Sequence, residues 1–250
     1  MSGAPSPLRA IAVIPARIGS TRLAEKMLLA ETGRPLVVHV LERVKKARRL
    51  AGAIVATDDQ RIQRAVEAAG GVARLTRPDH RTGSDRIGEL LPSLEADVVV
   101  NVQGDEPEVD PALLDALVDR LERDPAVDVG TGASPIRREA DLADTNCVKV
   151  VLDAKRCALY FSRSAIPGGR GGPSLEAHPL MHIGVYAYRR RVLEAFLRLP
   201  PTPLEIAESL EQLRLLEHGF RFGVEITQIA GRGIDTANDY AEFVRRVRAT

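Results

Sequence analysis

The chain alternates short runs of consecutive apolar residues with longer segments whose apolar positions recur every three to four residues. The apolar runs predict β-strands at residues 11–15, 53–57, 72–76 and 97–103. The longer segments predict helices at 35–50 and 59–69, the second of which ends at Gly70-Gly71. Apolar strands that alternate with helices are typical of a mostly parallel sheet covered on both faces.

The second half of the chain continues this pattern less regularly. Asp110-Pro111 is a good cap and first-turn pair for a helix at 110–123. Strands are predicted at 127–136 and 146–153 with no obvious helix between them, and residues 160–182, rich in Gly and Pro, predict a loop-like excursion. The remaining elements are a strand at 182–189, an amphipathic helix at 203–218, a strand at 222–227 and a helix at 236–248.

Composition narrows the class of protein. In 250 residues, Lys plus Arg (35) and Asp plus Glu (34) nearly cancel, which argues against a dedicated binder of nucleic acid or of membrane surfaces. Cys147 and Cys157 match no zinc pattern and predict two reduced thiols in the cytoplasm. No signal peptide is apparent, and no apolar run approaches the roughly 18 residues of a membrane span.

Charged and hydroxyl side chains crowd the loop after the first predicted strand. The stretch IPARIGSTRLAEKML, residues 14–28, contains Arg17, Arg22 and Lys26 together with Ser20 and Thr21. Ligands of open parallel sheets bind beyond the carboxyl ends of the strands, and this loop leaves such an end. Arginine offers paired donors and lysine a compact charge, so the cluster favours the phosphate tail of a nucleotide.

A second polar segment, VVVNVQGDEP at 98–107, runs from a buried strand straight into Gln103, Asp105 and Glu106. At least one carboxylate therefore emerges at the same sheet edge as the cationic loop. Mg²⁺ would join the two, since it is typically held by one or two carboxylates plus substrate phosphates. Because Asp110 already caps the next helix, we assign Asp105 rather than Glu106 to the metal.

Asp235 and the histidines are less informative from sequence. Asp235 precedes the last predicted helix, where its ordinary role is the N-cap, worth about 1 kcal/mol. Thr236 or Asn238 could make the capping contacts instead and leave Asp235 available. The five histidines are too irregularly spaced for a zinc motif, although His182 begins a strand directly after the excursion.

Nine segments, taken in order, resemble the 3-deoxy-manno-octulosonate cytidylyltransferases, also called CMP-Kdo synthetases, where Kdo is 3-deoxy-D-manno-octulosonate. They run from about Ile11 to Tyr240, and the ordered set is far more specific than any one of them. The segments are IPARIGSTRL, IVATDD, RPDHRTGSDR, NVQGDEP, NCVKVVLD, ALYFSRSAIP, HIGVYAYRR, LEQLRLLEHGF and GIDTANDY.

The resemblance implies a single-domain α/β fold, the Rossmann-like, glycosyltransferase-A-like nucleotidyltransferase fold. We expect a mostly parallel sheet with helices on both faces, a small excursion near 160–182, one domain over residues 1–250 and a disordered tail at 1–9. The resemblance also implies a homodimeric, cytoplasmic enzyme of lipopolysaccharide biosynthesis that uses Mg²⁺ and CTP. In that reaction the anomeric hydroxyl of an acidic ketosugar, Kdo, attacks the α-phosphate of CTP and releases pyrophosphate.

The resemblance also implies roles for individual residues. Asp105 and Asp235 match the metal-binding carboxylates, and with Arg22 and Lys26 they form the expected catalytic group. The expected nucleotide-binding residues are Arg17, Ser20, Arg22, Lys26, Ser84, Arg86 and Gln103, with Asp85 in the same segment. The expected sugar-binding residues are Gln103, Arg163, His182, Tyr186, Glu211 and Gln212. No dedicated general base is assigned, because positioning and metal activation of the hydroxyl suffice.

The chain departs from the family pattern at three places. Ala24-Glu25 replaces a Pro-Gly pair, which removes easy access to positive φ and adds a carboxylate near the phosphate loop. Arg81 stands where glutamine is common, and GGRGGPS after Pro167 is poor in the usual aromatic and acidic residues. These departures bear on the acceptor more than on nucleotide transfer.

Two alternatives therefore stay open: transfer to another acidic ketosugar, such as an amino-Kdo or a sialic-type nonulosonate, and a non-catalytic nucleotide-binding relative. A Rossmann dehydrogenase is disfavoured because GxGxxG is absent.

Overall fold

The apolar runs of the N-terminal half form four parallel strands. They are β1 (Ala10–Ala16), β2 (Leu50–Thr57), β3 (Val72–Leu75) and β4 (Val98–Asn101), which pair in the order β3-β2-β1-β4. Every residue of β1 and β4 is buried, as strands in the middle of a covered parallel sheet require. Their carboxyl ends consequently lie at one edge of this sheet.

The computed structural model describes residues 7–20, 22–229, 231 and 233–249. Residues 1–6 of the predicted tail and Thr21 of the phosphate loop lie outside the described residues. The described chain forms two compact units: one up to Asp115 and again from Gly231 onward, the other from Ala116 to residue 229. The organisation of 1–250 as one domain stays a prediction.

Helices follow the strands of the first unit, and their caps are encoded locally. They are α1 (Leu36–Val44), α2 (Gln60–Ala68) and α3 (Gly83–Leu90). Asp59 caps α2 by accepting the Arg61 N–H, while Thr82 and Asp85 form a reciprocal capping box at the start of α3. The helix α4 (Pro111–Arg123) begins with the predicted cap, since Asp110 accepts the Ala112 N–H at 3.0 Å.

The second unit contains a mixed sheet. Its strands are β5 (Val129–Pro135), β6 (Lys149–Leu152), β7 (Ala158–Ser162), β8 (Leu180–Arg189) and β9 (Phe222–Ile226). β5 pairs with β9 in parallel and with β8 antiparallel, while β6 pairs antiparallel with both β7 and β8. The connection from β7 to β8 contains a single one-turn 3₁₀ helix at Leu175–Ala177, so the predicted excursion is confirmed with narrower bounds.

Several sequence predictions of secondary structure were wrong in detail, and the strand β7, which overlaps the start of the predicted excursion, was not predicted. The helix predicted at 203–218 is two helices, α7 (Pro203–Glu208) and α8 (Gln212–Glu217), because Ser209 adopts a left-handed conformation with φ 52°. A short helix, α5 (Glu139–Ala143), lies where none was expected. The first helix is shorter than predicted, and the next strand begins earlier, at Leu50. A further helix, α6 (Arg190–Phe196), follows β8 directly.

The chain closes in the first unit with α9 (Ala237–Arg248), which is capped by Thr236 and Asp239. Its apolar face packs in a buried cluster with Leu36 of α1 and with Ile234. Ile234 is anchored a second time, because its N–H donates to the Asp105 carbonyl at 2.9 Å. This packing fixes the residue that follows, Asp235. No helix among the described residues is long and apolar enough to cross a membrane.

Candidate active site

A cavity of about 220 Å³ lies at the carboxyl ends of β1 and β4 in the first unit. We call it the cationic cavity. Its walls come from the loop after β1, the start of α3, the loop after β4 and the segment before α9. The charged and polar side chains that line it are Arg17, Ser20, Arg22, Lys26, His80, Arg81, Thr82, Arg86, Gln103, Asp105 and Asp235. The structure thus brings most of the predicted nucleotide-binding residues together in one cavity.

Lys26 is the centre of the cationic cavity. Its side chain is almost fully buried, and Nζ donates to Asp105 Oδ2 at 2.7 Å and to the Ile234 carbonyl at 2.6 Å. The same ammonium lies 3.4 Å from Asp235 Oδ1. Arg22 reaches Asp235 Oδ1 at 2.8 Å from the exposed side. One ammonium therefore joins two carboxylates that are 130 positions apart in the sequence.

Thr236, not Asp235, is the N-cap of α9: its side chain accepts the Asp239 N–H, and Asp239 in turn accepts the Thr236 N–H. The sequence left these alternatives open, and the cap by Thr236 leaves the Asp235 carboxylate for Arg22 and Lys26. The cap of α9 and the carboxylate of the cavity are thus provided by two adjacent residues.

Glu106 differs from Asp105 despite adjoining it. Ideal Cβ atoms at Gly231 and Gly233 would lie 3.3 Å and 3.0 Å from its carboxylate oxygens, so this group is pressed against glycine backbone. Desolvation by burial, with further repulsion from Asp105 and Asp235, raises the pKa of Glu106 to about 8. The choice of Asp105 rather than Glu106 as a metal ligand stays a prediction.

Two carboxylates of the cationic cavity, Asp105 and Asp235, are candidate ligands for a metal ion. Among the described residues, no group of three or more His, Cys, Asp or Glu side chains is placed to hold a metal alone. Mg²⁺ does not need such a group, since it keeps several waters and takes one or two carboxylates plus phosphate oxygens. Asp105 and Asp235 already converge on one cation, the Lys26 ammonium, so their oxygens fit a Mg²⁺ that is shared with a bound phosphate.

Arg86 lines the cationic cavity but is 2% exposed, and its guanidinium has structural partners. It donates to Asp58 Oδ2 at 3.0 Å, to the Thr76 hydroxyl and to the Arg77 carbonyl. The other Asp58 oxygen accepts the Ile18 N–H at 2.9 Å. Asp58 therefore ties the phosphate loop to α3, a role that sequence reasoning missed although the residue lies in the matching segment IVATDD.

Gly104 is the second residue that sequence reasoning missed. A Cβ at this position would lie 2.8 Å from the Pro15 carbonyl oxygen and 3.1 Å from Met27 Sδ. Only glycine permits this close approach between the loops that follow β1 and β4. The signal was present in the sequence as an isolated glycine directly after a buried strand.

Three further predicted residues make contacts within the protein. Ser84 is buried in α3, and Asp85 belongs to the capping box at the start of that helix. Gln103 lines the cationic cavity and donates to Asn101 Oδ1 at 3.1 Å. Their proposed contacts with a nucleotide stay predictions.

Glu25 adopts a left-handed conformation, with φ 49° and ψ 31°, at the place where the family pattern has glycine. Its carboxylate accepts from Arg61 Nη1 at 2.6 Å. The chain thus adopts a left-handed backbone at this position without a glycine, and an arginine on α2 pairs with the Glu25 carboxylate. The sequence correctly marked this position as unusual.

A second cavity, of about 270 Å³, lies in the second unit. We call it the His182 cavity. It contains three of the predicted sugar-binding residues, His182, Tyr186 and Gln212. The remaining lining residues are Asn146, Cys147, Val148, Met181, Gly184 and Leu210. The polar side chains of this cavity carry amide, imidazole, phenol and thiol groups.

His182 is held in its neutral form, because burial lowers its pKa to about 3. Its Nε2 lies 3.0 Å from the Thr131 hydroxyl, which itself donates to the Val185 carbonyl at 2.8 Å. The single hydroxyl proton is thereby used, so Nε2 carries the ring proton and Nδ1 is the acceptor. Burial, reinforced by the charge of Glu211, raises the pKa of Tyr186, which therefore stays a phenol.

Arg163 makes a different set of contacts from those the sequence suggested. Its guanidinium donates to three main-chain carbonyls: Glu208 at 2.7 Å, Thr145 at 3.0 Å and Ser209 at 3.3 Å. Its side chain braces the segments that line the His182 cavity. The predicted contact of Arg163 with a sugar carboxylate stays a prediction, as does that of Glu211.

The α/β fold of the chain is that of the nucleotidyltransferases. The fold of 4-diphosphocytidyl-2C-methyl-D-erythritol synthase from Anaerococcus prevotii matches with a TM-score of 0.65 at 12% identity, over 97% of this chain and all of that one. At this identity the likeness shows the fold alone, and it confirms the predicted α/β nucleotidyltransferase architecture.

Closer relatives define the family. The cytidylyltransferase family model matches residues 11–226. The 3-deoxy-manno-octulosonate cytidylyltransferase of Geobacter sulfurreducens is 44% identical over 95% of this chain and 98% of its own length. That of Escherichia coli is also 44% identical, over 91% and 92%. The structure of a CMP:2-keto-3-deoxy-manno-octonic acid synthetase complexed with CTP matches with a TM-score of 0.92 at 42% identity, over 96% and 99%. The chain belongs to the CMP-Kdo synthetase family of cytidylyltransferases.

Proposed function

We propose that this protein is a CTP-dependent cytidylyltransferase that transfers CMP from CTP to the anomeric hydroxyl of Kdo. The products are CMP-Kdo and pyrophosphate, made in the cytoplasm for lipopolysaccharide biosynthesis. One observation carries the proposal: Lys26 joins Asp105 and Asp235 in a cavity whose rim carries Arg17, Ser20 and Arg22. The names of relatives that match along nearly the whole chain support the same substrates.

Mg²⁺ is the proposed cofactor, and Asp105 and Asp235 are the residues that would hold it. Nucleotidyltransferases of this family typically use a divalent metal. When bound, Mg²⁺ would supply charge neutralisation at the phosphates and would lower the proton affinity of the sugar hydroxyl. Both carboxylates now accept from cations of the protein, Lys26 and Arg22, which can turn to phosphate oxygens instead.

The chain's own side chains provide the rest of the chemistry. Arg17, Arg22 and Lys26 would bind the triphosphate and hold its α-phosphorus in line with the attacking hydroxyl. The sugar oxygen forms a bond to this phosphorus, the bond to pyrophosphate breaks, and the hydroxyl proton passes to solvent. Charge that develops on the phosphates meets preorganised cations, so no dedicated general base is required.

The acceptor is proposed to bind in the His182 cavity. Neutral His182 offers a fixed acceptor nitrogen, and Tyr186 and Gln212 offer groups suited to sugar hydroxyls. Arg163 and Glu211 complete the set proposed in this unit, and Arg163 would have to exchange a carbonyl partner for the sugar carboxylate. The predicted contact of Gln103 with the sugar stays a prediction.

The decisive experiment measures pyrophosphate release from CTP with Mg²⁺ and a panel of acidic ketosugars. Kdo should give turnover, while the amino-Kdo and sialic-type acids should give much less. Silence with Kdo and turnover with a relative would overturn the assigned acceptor. Silence with every sugar, combined with tight CTP binding, would instead indicate a non-catalytic nucleotide-binding protein.

A homodimer is also proposed, as in the family pattern. Large apolar side chains are exposed in the second unit, notably Leu159 on β7 and Ile206 on α7. Burial of such side chains between two copies would remove apolar surface from water. Light scattering should give twice the 27.1 kDa mass of the chain, and Ile206→Glu tests whether this surface is used.

A further inference from the structure

Lys149, on β6, is a fully buried lysine that lines neither cavity. Its ammonium donates to three main-chain carbonyls: Asp144 at 2.9 Å, Cys147 at 2.6 Å and Arg163 at 2.6 Å. A lysine ammonium has three donors, and here all three are used. Burial of a charge is costly unless the charged group is fully hydrogen-bonded. The three hydrogen bonds of the Lys149 ammonium meet this condition, and they join the segments that carry the three carbonyls.

The three carbonyls belong to two separate parts of the second unit. Asp144 and Cys147 lie in the turn that precedes β6, and Arg163 follows the end of β7. The turn leads directly into one wall of the His182 cavity, formed by Asn146, Cys147 and Val148. The Lys149 ammonium therefore fixes this wall against the strand end behind it.

A second set of contacts joins the same strand end to another wall. The Glu208 carboxylate accepts the Ser162 hydroxyl at 2.6 Å and the Arg163 N–H at 2.9 Å. Glu208 precedes the left-handed residue Ser209, after which Leu210 and Gln212 line the cavity. Lys149 and Glu208 thus hold two walls of the cavity on one support, residues 162–163.

We propose that Lys149 is a positioning residue for the acceptor, with Glu208 as its counterpart on the neighbouring wall. Lys149 acts through the main chain: its ammonium holds residues 144–148 in place, so that the wall presents a fixed shape to the ketosugar. This role rests on the proposed function, in which the His182 cavity receives the acceptor. Loss of the ammonium should loosen acceptor binding and leave the use of CTP intact.

The test compares Lys149→Met, which keeps the length of the side chain without its charge, with Lys155→Met at an exposed lysine of the same unit. For Lys149→Met we expect the KM for Kdo to rise about tenfold or more, while the KM for CTP stays within about twofold of wild type. Lys155→Met should match wild type in both. An unchanged KM for Kdo, or an equal rise in both KM values, would overturn the positioning role.

Hydrogen exchange tests the same role without turnover. In Lys149→Met the amides of residues 146–148 and 163–164 should exchange about tenfold faster or more, while those of β1 keep their protection. Uniform protection loss, or none, would contradict the proposal. If wild type is silent with Kdo, the proposed function fails, yet the exchange result still decides whether Lys149 holds residues 144–148 in place.

A second variant guards against failure of Lys149→Met to fold. Glu208→Gln keeps the volume and one acceptor oxygen but removes the charge that holds Ser162 and Arg163. We expect a rise of about threefold or more in the KM for Kdo at unchanged KM for CTP. If Glu208→Gln matched wild type in both KM values, Glu208 would not be a support of this cavity wall.

Discussion

The two cavities use charge in opposite ways. In the cationic cavity, Lys26 faces the carboxylates Asp105 and Asp235, so charged side chains are partners of one another. Around the His182 cavity, Lys149 and Arg163 point at main-chain carbonyls, and His182 itself is neutral. A charged side chain that is paired with another charged side chain can exchange that partner for a phosphate or a metal ion. A charged side chain that binds main-chain carbonyls instead holds the wall of a cavity in place.

This difference suits the two proposed ligands. A triphosphate carries several charges and needs counter-charges that are already desolvated and preorganised. An acidic sugar is mostly hydroxyl groups, which are recognised by fixed neutral donors and acceptors whose positions depend on rigid walls. The first region should therefore be sensitive to charge removal in catalysis, and the second to loss of its supports.

The largest expected effect is on catalysis by the cationic cavity. Asp105→Asn should lower the rate of pyrophosphate release about thousandfold, equivalent to about 4 kcal/mol in the barrier, because it removes a partner of Lys26 and a proposed metal ligand. Asp235→Asn should behave similarly. The matched control is Glu108→Gln. Glu108 lies in the same loop as Asp105, and its carboxylate pairs with Arg246. Full activity in Asp105→Asn with an unchanged melting temperature would remove the metal assignment.

The next effect concerns stability near the cationic cavity. Asp58→Ala should cost about 3 kcal/mol in the free energy of unfolding, because it leaves the buried Arg86 guanidinium without its carboxylate. Urea denaturation measures the loss. Asp59→Ala, which removes the cap of α2 and a partly exposed ion pair with Arg61, should cost about 1 kcal/mol. Equal costs for the two variants would show that the buried pair is not a support of the phosphate loop.

The neutral His182 predicts a pH dependence of stability in the second unit. Its pKa is lowered from 6.5 to about 3, so the unfolded chain binds a proton that the native protein excludes. Stability should therefore fall as the pH falls below about 6.5, by at most about 1.4 kcal/mol per unit. Between pH 7 and pH 5, His182→Gln should lose up to about 2 kcal/mol less than wild type in urea denaturation. Parallel losses in both proteins would mean that His182 takes up a proton in the native state.

The smallest effect concerns the unusual backbone at Glu25. Both Glu25→Gly and Glu25→Ala lose the exposed ion pair with Arg61, but only glycine accepts φ 49° without strain. The glycine variant should therefore be more stable than the alanine variant by about 0.5–1 kcal/mol, the reverse of the usual order. Thermal denaturation of the pair checks this. A more stable alanine variant would place the strain elsewhere in the loop.

Local pattern predicted much of the fold because its signals act over a few residues. Continuous apolar runs predicted β1 and β4, and Asp110-Pro111 and Gly70-Gly71 marked helix ends that the structure confirms. The break at Ser209 escaped prediction, since an apolar period of three to four residues runs through it. Antiparallel pairing of β8 with β5 also escaped, because strand direction depends on partners that are distant in sequence.

The sequence by itself determined the family, the cationic loop after β1 and the carboxylates Asp105 and Asp235, because these depend on residue identity and order. Only the tertiary structure decided how these charges are paired: that Lys26 binds both carboxylates, that Arg86 is held by Asp58, and that Lys149 and Arg163 brace the backbone. The physical reason is that the partner of a charge is chosen by distance and desolvation, and the packing of remote segments sets both.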